Sequence, residues 1–208
     1  MKYLYIDTSS SFLYSAIVDD IRVLSEVKEE YGQSLSEVTL PRIAAMFKEL
    51  DLEPKDINKI IVVNGPGSFT GIRIGITIAK VYAWSLNIPI TTIYSLEAMS
   101  LSSDKNTVHV PIINARRGYV FAAIYDANQK ELLKPQHIKI EDLKKELDNI
   151  EEYEIISNDE FDDFSEISSY SPNIFRIVHT FKDKQEINPH AVNPEYLKLT
   201  EAEENKEW

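Results

Sequence analysis

The sequence predicts an α/β protein with a mixed β-sheet and flanking helices, and three observations carry that reading. Three β-rich runs open the chain with short polar breaks between them. A run from Lys59 to Val63 that is apolar after its first residue stands between two long helical segments, which suits a strand buried on both faces. A further strand at 90–94 follows the second helix, so the first hundred residues read strand, strand, strand, helix, strand, helix, strand.

The runs 2–7 (KYLYID) and 12–18 (FLYSAIV) are separated by Thr8-Ser9-Ser10-Ser11, and Ile21 to Val27 follows the turn-like Asp19-Asp20, so neighbouring antiparallel strands are expected. Ser34 with Glu37 three residues later has capping-box spacing. Leu35, Val38, Ile43, Met46, Phe47 and Leu50 then predict a helix over about 34–50. Pro41 removes one backbone donor inside it and predicts a bend or a later start. The strand at 59–63 ends at Asn64-Gly65-Pro66-Gly67, and the second helix runs from about 68 to 86.

Polar residues 102–106 mark a boundary between an N-terminal lobe, 1–104, which carries both helices, and a smaller C-terminal lobe, 105–208. In the second lobe two strands meet near Arg116-Arg117-Gly118, followed by a strand at 130–140 and an amphipathic segment at 141–147. Residues 159–173 lack a period and read as irregular or short helical structure. The acidic tail is expected to be mobile from about residue 200. The sequence shows no internal repeat.

Composition narrows the function. The chain has 208 residues, 43% of them hydrophobic, and no cysteine, which excludes disulfides, thiolate metal sites and cysteine nucleophiles. No apolar stretch approaches the roughly 18 residues of a membrane span, so a cytoplasmic protein is expected. The net charge of −12 argues against broad contact with a nucleic-acid backbone, which needs Lys and Arg to displace counterions. The histidines, His109, His137, His179 and His190, include no i, i+4 pair, so no metal is expected.

The most informative stretch is Gly65-Pro66-Gly67-Ser68-Phe69-Thr70-Gly71-Ile72-Arg73-Ile74-Gly75. It joins a buried strand to a helix, whose free amides can bind an anion. It is neither a phosphate-binding Lys-Ser/Thr loop nor a dinucleotide fingerprint: Ile72-Arg73 stands where the lysine pair belongs, and Thr70 takes the third glycine position. On the residues alone, a tight turn capped by Ser68 or Thr70 is favoured. Asp7 offers a phosphate-handling carboxylate or a hydrogen-bonded turn, with the turn favoured. Arg116 and Arg117 offer an anion grip or two solvated hairpin arginines.

Along the second helix, Thr70, Arg73, Thr77, Lys80 and Trp84 fall on one stripe. Ile72, Ile74, Ile76, Ile78, Val81, Tyr82 and Leu86 occupy the rest, an arc too wide for one sheet. Gly71, Gly75, Ala79 and Ala83 recur every fourth position and admit a close neighbour. Each interior glycine costs roughly 1 kcal/mol of helix propensity, which close packing offsets. The excess apolar surface is expected to meet the first helix or another chain.

IDTSS near the start, SEVTLPRI, GPGSFTGIRIG, YSLEA, NARRGYVFAAIYD and the closing NPEYLKL together resemble the TsaB (YeaZ) family, most strongly over residues 1–126. The resemblance implies an actin-like (ASKHA, ribonuclease H-like) fold of two related lobes with mixed sheets and flanking helices. It implies a non-catalytic subunit, without cofactor, of the machinery that places threonylcarbamoyl on the adenosine beside a tRNA anticodon. Its partners would be the catalytic subunit TsaD and the ATPase TsaE, with a homodimer through the same helices when TsaD is missing, and tRNA would be met only indirectly.

The implied partner surface comprises Leu35, Val38, Arg42, Met46, Gly71, Ile72, Gly75, Ile76, Ala79 and Ala83. The family motif loop is Gly65, Pro66, Gly67, Ser68, Phe69, Thr70 and Arg73, and Asp7, Thr8 and Ser9 stand as a vestigial phosphate loop. On this reading Gly75→Leu weakens assembly and spares the isolated fold. Leu35 replaces a common family histidine and Asn114 a common aspartate. The alternatives are an actin-like small-molecule kinase or ATPase, which needs a second phosphate loop that is not evident after residue 105, and a peptidase-like protein, for which no nucleophile or metal pair is recognisable.

Overall fold

Strands β1 (Lys2–Asp7), β2 (Phe12–Asp19) and β3 (Val23–Glu30) pair antiparallel in sequence order. They belong to a computed structural model that describes residues 1–198, apart from the side chain of Gln33; the expected mobile tail lies outside the described residues. After α1 (Leu35–Glu49), β4 (Lys59–Val63) enters parallel to β1, and after α2 (Phe69–Leu86), β5 (Ile90–Ile93) lies parallel to β4. The resulting order is β3-β2-β1-β4-β5. Central β4 is buried at every position, as its apolar run requires. Edge strand β3 exposes four charged side chains, Glu26, Lys28, Glu29 and Glu30, which protect its open hydrogen-bonding side.

Alternation along the strands fixes the layers. Leu4, Ile6, Leu13, Ile17, Ile60 and Val62 form one core with Ile43, Met46 and Phe47 of α1 and Ile72, Ile76 and Ala79 of α2. Against the neighbouring strands β1 and β2 also packs α5 (Ile174–Phe181), whose Ile174, Ile177 and Val178 are buried.

The N-terminal unit therefore comprises 1–98 together with 172–195, and the second comprises 99–171 and 196–198 of the described residues. This corrects the expected division at 104/105: a segment distant in sequence returns to complete the first lobe. Hydrogen bonds spread along the segment hold it there. Buried Lys59 donates from Nζ to the carbonyls of Lys182 (2.8 Å) and Lys184 (2.6 Å). Ile187 N donates to Ile90 O at 2.8 Å and Glu195 N to Asn64 O at 2.8 Å. None of these is visible in local periodicity.

Two expectations about α1 fail. Ser34 makes no side-chain cap, because its backbone (φ −82°, ψ 0°) continues a preceding 3-10 turn instead of the extended conformation a cap needs. Helix α1 also does not start late: it begins at Leu35 and runs through Pro41, which is solvent-exposed, so the lost donor is confined to the wet side.

In the second unit, β6 (Val108–Arg116), β7 (Tyr119–Tyr125) and β8 (Glu131–Lys139) form an antiparallel meander. Helix α4 (Ile140–Leu147) then leads to β9 (Tyr153–Ile156), parallel to β6, giving the order β8-β7-β6-β9. The short α3 (Ser95–Ser100) precedes β6. The succession of three antiparallel strands, a helix and a parallel strand beside the first repeats β1 to β4, so the two lobes are related in topology as an actin-like fold requires. Arg117 (φ +53°) and Gly118 (φ +77°) make the two-residue hairpin turn of β6 and β7. Residues 159–173 are irregular, while α3, β9 and α5 are elements the periodicity did not mark.

Because α5 completes the first lobe, Ile177→Ala is expected to cost the whole chain about 2–5 kcal/mol in urea unfolding. An unchanged midpoint would show that the lobe closes without this helix.

Candidate functional site

The first turn and the glycine-rich helix start form a single construction. Asp7 ends β1 buried, and its Oδ1 accepts from Ser9 N (2.8 Å) and Ser9 Oγ (2.7 Å), while Tyr5 OH donates to Oδ2 at 3.4 Å. Its carboxylate is thus turned into the lobe and held in the hydrogen-bonded turn that its neighbours favour. Burial raises the Asp7 pKa, opposed by the hydrogen bonds from Ser9 and Tyr5. Tyr14, opposite Asp7 in the β1–β2 register, is pushed up to about 12, first by burial and then by the negative charges of Asp7 and Glu30.

Thr8 locks this turn to α2. Its Oγ1 donates to Gly71 O at 2.6 Å and accepts from Gly75 N at 3.1 Å. A Cβ at Gly71 would overlap the Thr8 carbonyl oxygen, and one at Gly75 would lie 2.5 Å from Thr8 Oγ1 and 3.4 Å from Ile6. Close approach by the chain's own β1 end therefore explains the glycines, and the expected approach of a second chain along this row is corrected.

The loop before the helix is equally committed. Ser68 N donates to Ser9 O (2.7 Å), and Ser68 Oγ caps Gly71 N at 3.2 Å, so Ser68 is the cap. Gly67, at φ +150°, lets the backbone pass so close to Ser9 O that any Cβ would overlap it. Ser95 fastens the other side, its N donating to Gly65 O (2.8 Å) and its Oγ to Pro66 O (2.6 Å). Two amides that an anion at this helix start could use, those of Ser68 and Gly71, are thus taken by Ser9 O and the Ser68 hydroxyl.

Of the ten expected interface residues, Leu35, Met46, Gly71, Ile72, Gly75, Ile76, Ala79 and Ala83 are buried inside the first lobe. The reason is that the small-residue row turns toward the sheet. Val38 is half-buried; Arg42 is exposed, with NH2 2.8 Å from the Glu29 carboxylate and Nε donating to Tyr31 OH at 2.6 Å. The helix nonetheless has the expected excess of apolar surface, on its opposite side. Val81 (55% exposed) and Trp84 (65%) are open there, Phe69 (54%) and Leu86 (40%) are exposed at the two ends of the helix, and Ile74, Ile78 and Tyr82 are half-buried at the margins.

Phe69 carries the Arg73 guanidinium 3.8 Å from its ring centroid, and Trp84 meets His190 edge-on at 6.2 Å. The flanks of α2 are occupied: Phe47 of α1 stacks on Tyr82 (6.3 Å), and Lys80 Nζ donates to Val192 O (2.9 Å) on the other side. The exposed residues were missed because Trp84 shares a stripe with Arg73 and Lys80. Deciding first that glycines mark the inner face would have placed Val81 and Trp84 outside.

Elsewhere, Leu35 fills core space. Asn114 accepts the Arg116 amide through Oδ1 at 2.8 Å, and its own amide donates to Asp159 at 2.7 Å. Among the described residues no helix is long and apolar enough to cross a membrane, and no group of three or more His, Asp or Glu side chains is placed to hold a metal.

Comparison with known proteins gives one consistent answer. Residues 23–168 match the family model described as TsaD, tRNA N6-adenosine threonylcarbamoyltransferase. The tRNA threonylcarbamoyladenosine biosynthesis protein TsaB of Bacillus subtilis is 30% identical, covering 98% of this chain and 96% of that protein. Its Escherichia coli namesake is 31% identical over 62% of this chain and 57% of its own length. YeaZ from Pseudomonas aeruginosa superposes with a TM-score of 0.73 at 15% identity, over 94% of this chain and 99% of that one. A second Pseudomonas aeruginosa structure, described as similar to peptidase YeaZ, gives 0.77, with 95% and 99% covered; both establish the fold.

Two outcomes test this site. Gly75→Leu is expected to destabilise the isolated chain by about 3 kcal/mol through overpacking against Thr8 and Ile6, contrary to the expectation that only assembly suffers; denaturant unfolding reads it directly. Asp7→Asn keeps the acceptor for Ser9 and removes a buried charge. Since folding raises the Asp7 pKa, the aspartate loses stability as pH climbs from the unfolded value near 3.8 through the folded one. The variant's advantage should therefore grow over that window and then level off, and a pH-independent difference would contradict the assignment.

Proposed function

As this chain belongs to the TsaB family, we propose that it serves tRNA threonylcarbamoyladenosine biosynthesis as a non-catalytic subunit of a cytoplasmic complex. It binds and supports the catalytic subunit TsaD, helps recruit the ATPase TsaE, and pairs with itself through the same helix face when TsaD is missing. One observation carries the reading: the outer side of α2 leaves Val81 and Trp84 open, with Phe69 and Leu86 exposed at its two ends, in a helix whose inner side is already filled by its own lobe. Large aromatic anchors exposed in this way mark protein contacts. The interface so proposed replaces the buried glycine row by the opposite side of the same helix.

The inward-turned Asp7 and the self-occupied amides at Ser68 and Gly71 support a non-catalytic role, because an anion at this turn would have to displace bonds the lobe makes with itself. Most tRNA affinity would come from TsaD, since a chain of net charge −12 offers little general attraction to phosphate.

Omitting this chain from a reconstituted modification reaction is expected to abolish the product, with no product from the chain alone. Trp84→Glu should weaken binding to TsaD by at least about tenfold, as loss of an aromatic hot spot does, while leaving the thermal midpoint of the isolated chain in place. Undiminished co-elution of the variant would refute the proposed face.

A further inference from the structure

The second lobe carries an aromatic and cationic platform that neither the family motif nor the α2 face explains. Residues directly opposite on antiparallel strands share a face, and the register makes two rows across β6, β7 and β8. One row is Arg116, Tyr119 and Lys139; the next is Ile113, Phe121 and His137. Tyr119 stacks on His137 at 4.6 Å with planes 8° apart, Phe121 lies 5.4 Å from the same imidazole, and Lys139 Nζ sits 5.9 Å from the Tyr119 ring. Val120 and Ala122, which point the other way, build the core with Leu143 of α4, so the platform is the hairpin end of the opposite face, beyond buried Ala123 and Tyr125.

Its charge is opposite to that of the chain. Arg116 and Lys139 are exposed, as is Arg117 at the hairpin tip, and among the described residues none of the three enters an ion pair. Acids occur nearby: Asp159 is engaged by the Asn114 amide, and the Asp142 carboxyl, ion-paired with Lys145 (2.6 Å), is also held below its usual pKa by the charge of Lys139, which lies beyond ion-pair distance. A protein of net charge −12 thus sets three unpaired cations around two half-exposed aromatic rings and an imidazole. Stacking rings flanked by cations on an open sheet face fit unstacked bases with their phosphates alongside.

We propose that this face binds single-stranded RNA, namely the loop of the tRNA substrate, with a base on Tyr119 and phosphates against Arg116, Arg117 and Lys139. This rests on the function proposed above and revises the expectation that tRNA is met only through a partner. A local basic platform escapes the penalty of the chain's overall charge because interactions beyond about 10 Å are screened at ordinary ionic strength.

The test uses the assembled complex with TsaD and a fluorescent hairpin RNA carrying the anticodon loop, read by anisotropy over a salt series. Tyr119→Ala is expected to weaken RNA binding about tenfold, within the range for loss of one base–aromatic stack, while Tyr119→Phe retains it. Lys139→Gln should flatten the slope of log affinity against log salt by about 0.7, one phosphate contact to a single strand. Binding to TsaD should not change. Wild-type RNA affinity and salt slope in both variants would overturn the proposal; so would loss of TsaD binding without loss of RNA binding, which would make the face a protein contact. The two readings fail separately: undiminished product without this chain defeats the subunit role, whereas an omission defect with RNA-indifferent variants defeats only the RNA face.

Discussion

The seat of Thr8 between Gly71 and Gly75 is the constraint on which the first lobe depends. One hydroxyl bonds a helix carbonyl and a helix amide at once, which brings the backbones of the first turn and α2 closer than any side chain would allow. Glycine costs helix stability, and here the cost is offset by two buried hydrogen bonds and a tight fit. The same approach sets the rotation of α2 about its axis, so Ile72, Ile76 and Ala79 turn into the core and Val81 and Trp84 turn out. It also closes the loop, because Ser68 and Gly67 come to rest on Ser9.

From that rotation follows the division of labour along α2. The inner side is finished within the lobe, and both flanks are occupied, by Phe47 on one side and by the 189–192 segment on the other. What is left is a narrow outward strip on which Val81 and Trp84 stand among exposed Thr70, Arg73 and Thr77. Trp84, at 65% exposure, is the largest apolar side chain on that strip, and the proposed partner contact is placed there for that reason.

The two lobes use one strand plan in different ways. Around β1, β2, β3 and β4 one side of the sheet is covered by two helices, and α5 returns from residue 174 to pack on β1 and β2. Around β6, β7, β8 and β9 one helix covers one face, and the other face retains half-exposed Tyr119, Phe121 and His137. A repeat of this kind escapes inspection of the sequence because strand order depends on apolar alternation and connection length, which very different residues satisfy equally.

The local elements were largely determined by the sequence. Its alternation placed the three opening strands, its apolar run placed β4, and its motif order pointed to the family, since these depend on neighbours in the chain. The excess apolar surface of α2 was also legible, because a helical wheel needs only the known rise and turn of a helix. Its direction was not: a row of glycines and alanines fits against a partner or against the chain's own first turn equally well, and only the position of Thr8 decides. The return of residues 172–195, with Lys59 held by the carbonyls of Lys182 and Lys184, was likewise a tertiary decision. Hydrogen bonds between residues more than a hundred positions apart leave no mark on the periodicity of either segment.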